Sequence, residues 1–218
     1  MGFFNTIVKF FQDGGHFMYP IAIVAVAGIA IAVERWVYLT LVSQRNRSLW
    51  RDLAPLLGQG NFKQAVALTS SSDSAIGQIL NYGLARVQGA RRRDDIEKAM
   101  EESMMEILPR LEKRTHYLAT FANLATLLGL LGTVIGLINA FGAVATVNPA
   151  EKANLLSASI SVAMNCTAFG LMTAVPLLVL HAVLQTKTTE LIDSLEMASV
   201  KFLNSIVERR TEAAQAGA

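Results

Sequence analysis

Two stretches of this chain, residues 117–150 and 153–186, contain no Asp, Glu, Lys or Arg. No other feature restricts the possible folds so tightly. At 1.5 Å per residue each stretch would make a helix of roughly 50 Å, longer than the ~30 Å hydrocarbon core of a bilayer. A third charge-free run, residues 17–33, is followed by Glu34-Arg35 and then Trp36-Val37-Tyr38-Leu39. It covers roughly 26 Å, with Trp36 and Tyr38 placed as a partial aromatic belt. The chain is 52% hydrophobic, only 17% charged, and has a mean hydropathy of +0.39, so a soluble domain could not cover its surface.

The fold expected is an all-α integral membrane protein with three transmembrane helices, the second and third extended as long helices into the cytoplasm. The divisions are an outward amphipathic segment over 1–16, a first span over 17–42 and a cytoplasmic helical region over 43–116. A second span over 117–147, an outward turn over 148–153, a third span over 154–186 and a cytoplasmic helical tail over 187–218 follow. Phe3, Phe4, Ile7, Phe10 and Phe11 suit a short helix in the outer interface. Lys9 alone precedes the first run, whereas Arg35, Arg45, Arg47 and Arg51 follow it, the reverse of a cleaved signal. Met1-Gly2-Phe3-Phe4-Asn5-Thr6 fits a myristoylation pattern, but a chain with three spans needs no lipid anchor.

Charge sets the topology. Of nineteen Lys and Arg, only Lys9 and Lys152 lie on one side of the three spans; the other seventeen lie between Arg35 and Arg114 or from Lys187 onward. Positive loops stay in the cytoplasm, so the N-terminus and the second turn face outward and the C-terminus inward. A net charge of +2 is too near balance to imply nucleic acid. Arg91-Arg92-Arg93 reads as a solvated loop and topology anchor. The single cysteine, Cys166, offers no disulfide, and His16, His116 and His181 have no ligand spacing such as H-x-x-x-H. Neither a metal nor a cofactor is expected, and no His/Asp/Ser or phosphate-loop arrangement suggests an enzyme.

Within the inner region, breaks are expected at Gly58-Gln59-Gly60-Asn61, Ser70-Ser71-Ser72-Asp73 and Gln88-Gly89-Ala90. Ser72 or Asp73 should cap the helix that follows, and Asp94 with Glu97 forms a capping-box-like start. Met100, Met104, Ile107, Leu108 and Leu111 then run at helical spacing toward the second span, with Pro109 bending the helix but not ending it. In the tail, Leu191, Leu195, Ala198, Phe202 and Ile206 form one stripe, so the third helix should continue to about Arg209.

The second span divides into two faces. Ala122, Ala125, Gly129, Gly132, Thr133, Gly136, Ala140 and Ala143 share one; Leu127, Leu130, Leu131, Val134, Ile138 and Phe141 share the other. The third span has a similar small face: Ser159, Ala163, Cys166, Thr167, Gly170 and Ala174. Pro176 follows and deprives the Met172 carbonyl of its helical donor. Small faces let helix backbones approach in lipid. Thr133 and Thr167 add hydroxyls there that could hold water or a partly dehydrated cation.

Gly129-Leu130-Leu131-Gly132-Thr133-Val134-Ile135-Gly136-Leu137-Ile138-Asn139-Ala140-Phe141 closely resembles the G-L-x-G-T-V-x-G-[LI]-x-x-[AS]-F signature of the ExbB/TolQ/MotA family of ion-driven motors. The stretch from Ser159 to Pro176 resembles that family's third span. Phe17-Met18-Tyr19-Pro20-Ile21 and Glu34-Arg35 resemble the two ends of its first span. Three spans fit the ExbB/TolQ branch. The resemblance implies a bacterial inner-membrane protein with a periplasmic N-terminus and cytoplasmic C-terminus. It implies a homo-oligomer, a pentamer in the family, around a single-span ExbD/TolR-like protein with an intramembrane Asp, and a TonB- or TolA-like protein that receives the work. By position, Thr133 and Thr167 match the family's pore-facing threonines, and Gly129, Gly132, Gly136, Ala163, Gly170 and Pro176 match helix packing around the pore.

One position departs from the pattern. Val162 stands where the ExbB/TolQ branch usually has glutamate, so neither long span keeps an acid and the titrating carboxylate must come from the partner. The alternatives are a Na⁺-driven or gliding/flagellar-type stator, or a passive oligomeric scaffold.

Overall fold

In the computed structural model, residues 11, 14–87, 93–145 and 148–216 are described, with side chains as far as Glu208. The amphipathic N-terminal segment apart from Phe11, the break at 88–90, and Arg91-Arg92 lie outside these residues. Every element among them is helical. α1 spans Met18–Gly58, α2 Phe62–Ser70, α3 Ala75–Val87, α4 Arg93–Glu112, α5 Thr115–Val144 and α6 Pro149–Ala216. Three helical stretches are long and apolar enough to cross a membrane: Met18–Gly58, Arg93–Val144 (across a short break) and Pro149–Glu208. The chain is an all-α protein with three such helices.

It divides into two compact units. Of the described residues, those up to Glu34 and from Arg114 to Leu184 form the first, and those from Arg35 to Lys113 and from Gln185 onward the second.

In the first unit, Met18, Ile21 and Val24 of α1 are buried with Leu118, Ala122 and Ala125 of α5 and Ala163, Ala174 and Leu177 of α6. The helices approach closely at their glycines. A Cβ on Gly28 would lie 2.7 Å from Leu177 Cδ2, and one on Gly132 would lie 3.2 Å from Phe17 Cβ.

In the second unit, α1 continues without a break to Gly58, where the sequence pattern suggested an end near Val42 and short helices beyond. Between Gly28 and Pro55 no Gly or Pro interrupts it, and Leu49, Leu53 and Leu57 recur every four residues as a buried stripe. Gly60, at φ +72°, reverses the chain. Asn61 caps α2 by accepting from the Gln64 amide at 3.4 Å.

The cap of α3 is Ser74, not Ser72 or Asp73. Ser74 Oγ accepts from the Gly77 amide at 3.1 Å, and Ser72 Oγ accepts from the Ser74 amide at 3.3 Å. The buried Asn46 side chain of α1 accepts from the Ile76 amide at 3.2 Å. Asp94 falls inside the first turn of α4 instead of capping it, where a negative charge still complements the helix dipole. The tail stripe packs as its spacing indicated, for Leu191, Leu195, Ala198, Phe202 and Ile206 are all buried.

Pro109 lies inside α4, as expected. The helix nevertheless does not run directly into the second span, because it stops at Glu112 and α5 starts at Thr115. Arg114 between them is left-handed, at φ +66°, a conformation that costs a non-glycine residue roughly 1–2 kcal/mol. Within the first unit its guanidinium lies 2.7 Å from each carboxylate oxygen of Glu34. At the other end of the span, α6 begins at Pro149, so Glu151 and Lys152 belong to its first turn and not to a longer loop. Proline suits that position because its fixed φ is helical and its missing N–H would have had no partner there.

Candidate functional site

Of the site residues named from the sequence, all but Pro176 lie along the seam between α5 and α6, inside the first unit. The two small faces meet each other. A Cβ on Gly129 would stand 3.2 Å from Gly170 Cα and 3.3 Å from Thr167 Cα; one on Gly170 would stand 2.7 Å from the Ala125 carbonyl oxygen. Gly136 faces Ala163, whose Cβ lies 3.0 Å from where a Cβ on Gly136 would be. The Cys166 sulfur occupies the space that a side chain on Gly132 would take. Backbone meets backbone here because glycine, alanine and cysteine alternate on the facing surfaces.

This seam brings the two threonines together. Thr167 Oγ lies 3.4 Å from Thr133 Oγ. The Thr167 hydroxyl donates to the Gly129 carbonyl at 2.9 Å, a bond from α6 to α5, and the Thr133 hydroxyl donates to its own helix at Leu130 O, 2.6 Å away. With both protons engaged by carbonyls, the remaining capacity of each oxygen is its lone pairs. The pair therefore presents two acceptors. It can receive a hydrogen bond from water or from a protonated carboxyl, or lend oxygen atoms to a cation. Both threonines are half-buried.

Not every position lies on the seam. Pro176 is exposed on α6, next to buried Leu177. Val162 is partly exposed, and its Cγ1 lies 3.2 Å from where a Cβ of Gly15 would be. That places it beside the start of α1, five residues before Thr167 along α6. The second face of α5 points outward as the wheel indicated, with Leu127, Leu130, Val134, Ile138 and Phe141 exposed.

Sequence spacing missed two groupings. One is the Glu34–Arg114 ion pair, eighty residues apart, for which a charge at the end of each run was the only signal. The other is His116 with His181, whose ring centroids are 6.5 Å apart.

Residues 71–197 match the MotA/TolQ/ExbB proton channel family. An ExbB homolog of Methanothermobacter thermautotrophicus is 27% identical over 199 residues, covering 90% of this chain and 69% of the homolog. The biopolymer transport protein exbB1 of Vibrio cholerae is 30% identical over 172 residues, 76% of this chain and 73% of that protein. The Tol-Pal system protein TolQ of Pseudomonas aeruginosa is 29% identical over 118 residues, about half of each chain. Among solved structures, a chain of C. jejuni MotAB superposes with a TM-score of 0.57 at 17% identity, over 86% of this chain and 75% of the other.

Proposed function

This chain belongs to the MotA/TolQ/ExbB proton channel family, and on that premise we propose that it is the ion-conducting subunit of a motor complex of the inner membrane, built as in ExbB–ExbD or TolQ–TolR. Copies of the chain, five by family resemblance, surround a single-span partner that carries an intramembrane Asp. Proton flow past the subunit drives that partner, and a TonB- or TolA-like protein receives the work. The three apolar helices cross the bilayer with the N-terminus periplasmic and the C-terminus cytoplasmic.

The observation that carries this reading is the threonine pair, two acceptor oxygens 3.4 Å apart in a seam with no Asp, Glu, Lys or Arg over 117–150 or 153–186. Aliphatic side chains relay no protons, so the titrating group must be the partner's carboxyl. Its charged form is costly at the bilayer centre, which raises its pKa into a range where it can load and unload. A neutral carboxyl donates one hydrogen bond, and the threonine oxygens suit it as acceptors. An ionised carboxylate gains nothing from them until a hydroxyl turns away from its carbonyl. The pair therefore favours the loaded state and lets the site discriminate between the two.

Thr133→Val and Thr167→Val test this. Valine keeps the shape and removes the acceptor, at a cost of about 1–3 kcal/mol for the partner group left unmet. Complex reconstituted with its single-span partner should assemble normally but lose flux in both variants, read with a pH dye and separately with a Na⁺ dye. Conduction at the parental rate in both would mean that the threonines only pack helices and that the proposed ion pathway is wrong; no flux in the parent complex would favour a passive scaffold. Orientation has its own test. In intact spheroplasts, a cysteine at Asn148 should react with an impermeant thiol reagent and one at Ser71 should not. Labelling of Ser71 would reverse the topology.

A further inference from the structure

His116 stands in the first turn of α5 and His181 on α6, sixty-five residues apart in sequence, yet their ring centroids are 6.5 Å apart with planes inclined at 49°. His181 Nδ1 lies 3.1 Å from the Thr115 carbonyl oxygen. A carbonyl can only accept, so Nδ1 carries the hydrogen and Nε2 of the neutral ring keeps its lone pair. A backbone carbonyl holding one ring nitrogen while the other stays free is the arrangement by which proteins orient histidine ligands toward metals. His116 is exposed and His181 half-buried, so an ion has an open approach and one ring that can adjust.

We propose that His116 and His181 form a binding site for a divalent transition-metal ion of the zinc type. Two imidazoles on one tetrahedral ion, each at about 2.0–2.1 Å, have their ring centroids about 5–5.5 Å apart. Closing the observed separation requires a movement of about 1 Å, within the reach of a side-chain rotation of exposed His116. Imidazole nitrogen suits Zn²⁺, Cu²⁺ or Ni²⁺ and not Mg²⁺ or Ca²⁺. The nearest cation in sequence, Arg114, does not oppose the ion, because both oxygens of Glu34 neutralise it at 2.7 Å. Among the described residues no cluster of three or more His, Cys, Asp or Glu is placed for a metal, so water completes the shell and the site is weaker than a structural zinc site. The bound ion fastens the first turn of α5 to α6.

The full chain, purified in detergent without a polyhistidine tag, is titrated with ZnCl₂ and its thermal midpoint followed. Micromolar Zn²⁺ should raise the midpoint, and MgCl₂ at the same concentration should not. His116→Gln should weaken the response at least about tenfold, and His16→Gln should leave it unchanged. His181→Gln also removes the contact to Thr115 and could disturb folding, so the geometry is read separately with Cu²⁺. Electron paramagnetic resonance of the parent should show two coordinating imidazole nitrogens, and of His116→Gln only one. Equal Zn²⁺ response in parent and His116→Gln, no response in the parent, or a single nitrogen in the parent spectrum would each overturn the site. None of these readouts depends on ion flux.

Discussion

The two units are both made of packed helices, yet they divide small and large side chains between inside and outside differently. The first unit buries small residues such as Ala122, Ala125, Ala163 and Ala174, while Leu127, Ile138, Phe141 and Met164 stand outside it, each more than 60% exposed. The second unit buries Leu53, Leu80, Met100, Leu195 and Phe202 and, apart from buried Arg35, carries its charges outside, such as the Arg93–Glu97 and Arg110–Glu106 pairs. Water explains the second arrangement, since large apolar side chains gain most by leaving it. Lipid explains the first. Hydrocarbon is as apolar as leucine, so nothing drives large side chains inward, and close backbone approach holds the helices together. Composition alone separates the environments in which the two units fold.

Glycine substitution should expose this difference most sharply. A methyl on Gly170 meets the Ala125 carbonyl oxygen at 2.7 Å and Gly129 Cα at 3.0 Å, both backbone. Neither can retreat without moving α5. Gly170→Ala should therefore cost about 3 kcal/mol or more and abolish assembly on a sizing column. In the second unit, a methyl on Gly83 meets Met100 Sδ at 2.7 Å and Phe202 Cε1 at 2.9 Å. Methionine is flexible enough to yield, and alanine is a better helix former than glycine by about 1 kcal/mol. The buried Phe202 ring must also shift, so Gly83→Ala should cost about 1 kcal/mol, well below Gly170→Ala, where the obstacle is backbone. Equal damage from both would mean that the units are packed alike.

Truncating a large core residue should show the same contrast in reverse. Phe202 is fully buried, and Phe202→Ala should destabilise the second unit by about 3–5 kcal/mol. Phe141, 62% exposed on α5, should tolerate Ala with little change in the thermal midpoint of the isolated chain. A large loss at Phe141 in the assembled complex alone would identify that face as one covered by another chain.

How much of this was readable from sequence depends on range. The small faces of α5 and α6 and the tail stripe from Leu191 to Ile206 repeat at helical spacing, so each could be drawn from its own segment. That the two small faces meet within one chain, placing Thr133 3.4 Å from Thr167, is a long-range fact that periodicity does not carry. His116 and His181 were invisible for the same reason. The break before α5 was hidden differently. Pro109 is expected to bend the helix without ending it, and the chain turns instead at Lys113-Arg114, which contains neither Gly nor Pro. The length of α1 was missed because a membrane span suggests an end near the interface, although the Leu49, Leu53 and Leu57 stripe carries the helix on.

The smallest predicted effect concerns one hydroxyl at the start of α5. Elsewhere in this unit threonines find carbonyls: Thr126 donates to Ala122 O at 3.1 Å and Thr167 to Gly129 O at 2.9 Å. Thr115 is only 1% exposed, and its Oγ has no partner. Helical threonines usually bond a carbonyl three or four residues back, but Thr115 is the first residue of α5 and follows left-handed Arg114, so no carbonyl of its own helix lies beneath it. Its backbone carbonyl, by contrast, is engaged with His181 at 3.1 Å. A buried hydroxyl without a partner carries a desolvation penalty of about 1–3 kcal/mol. Valine has the same branched shape and a similar helix propensity, so Thr115→Val should stabilise the chain by about 1 kcal/mol, near 2–4 °C in thermal midpoint for a protein of this size. Thr115→Ser keeps the hydroxyl and loses a packed methyl, so it should lower the midpoint. A drop in Thr115→Val would mean that the hydroxyl is satisfied in solution, by a buried water, and that the seam tolerates no orphaned polar group even at its edge. The Zn²⁺ response should persist in Thr115→Val, because the atom that orients His181 is the carbonyl and not the side chain.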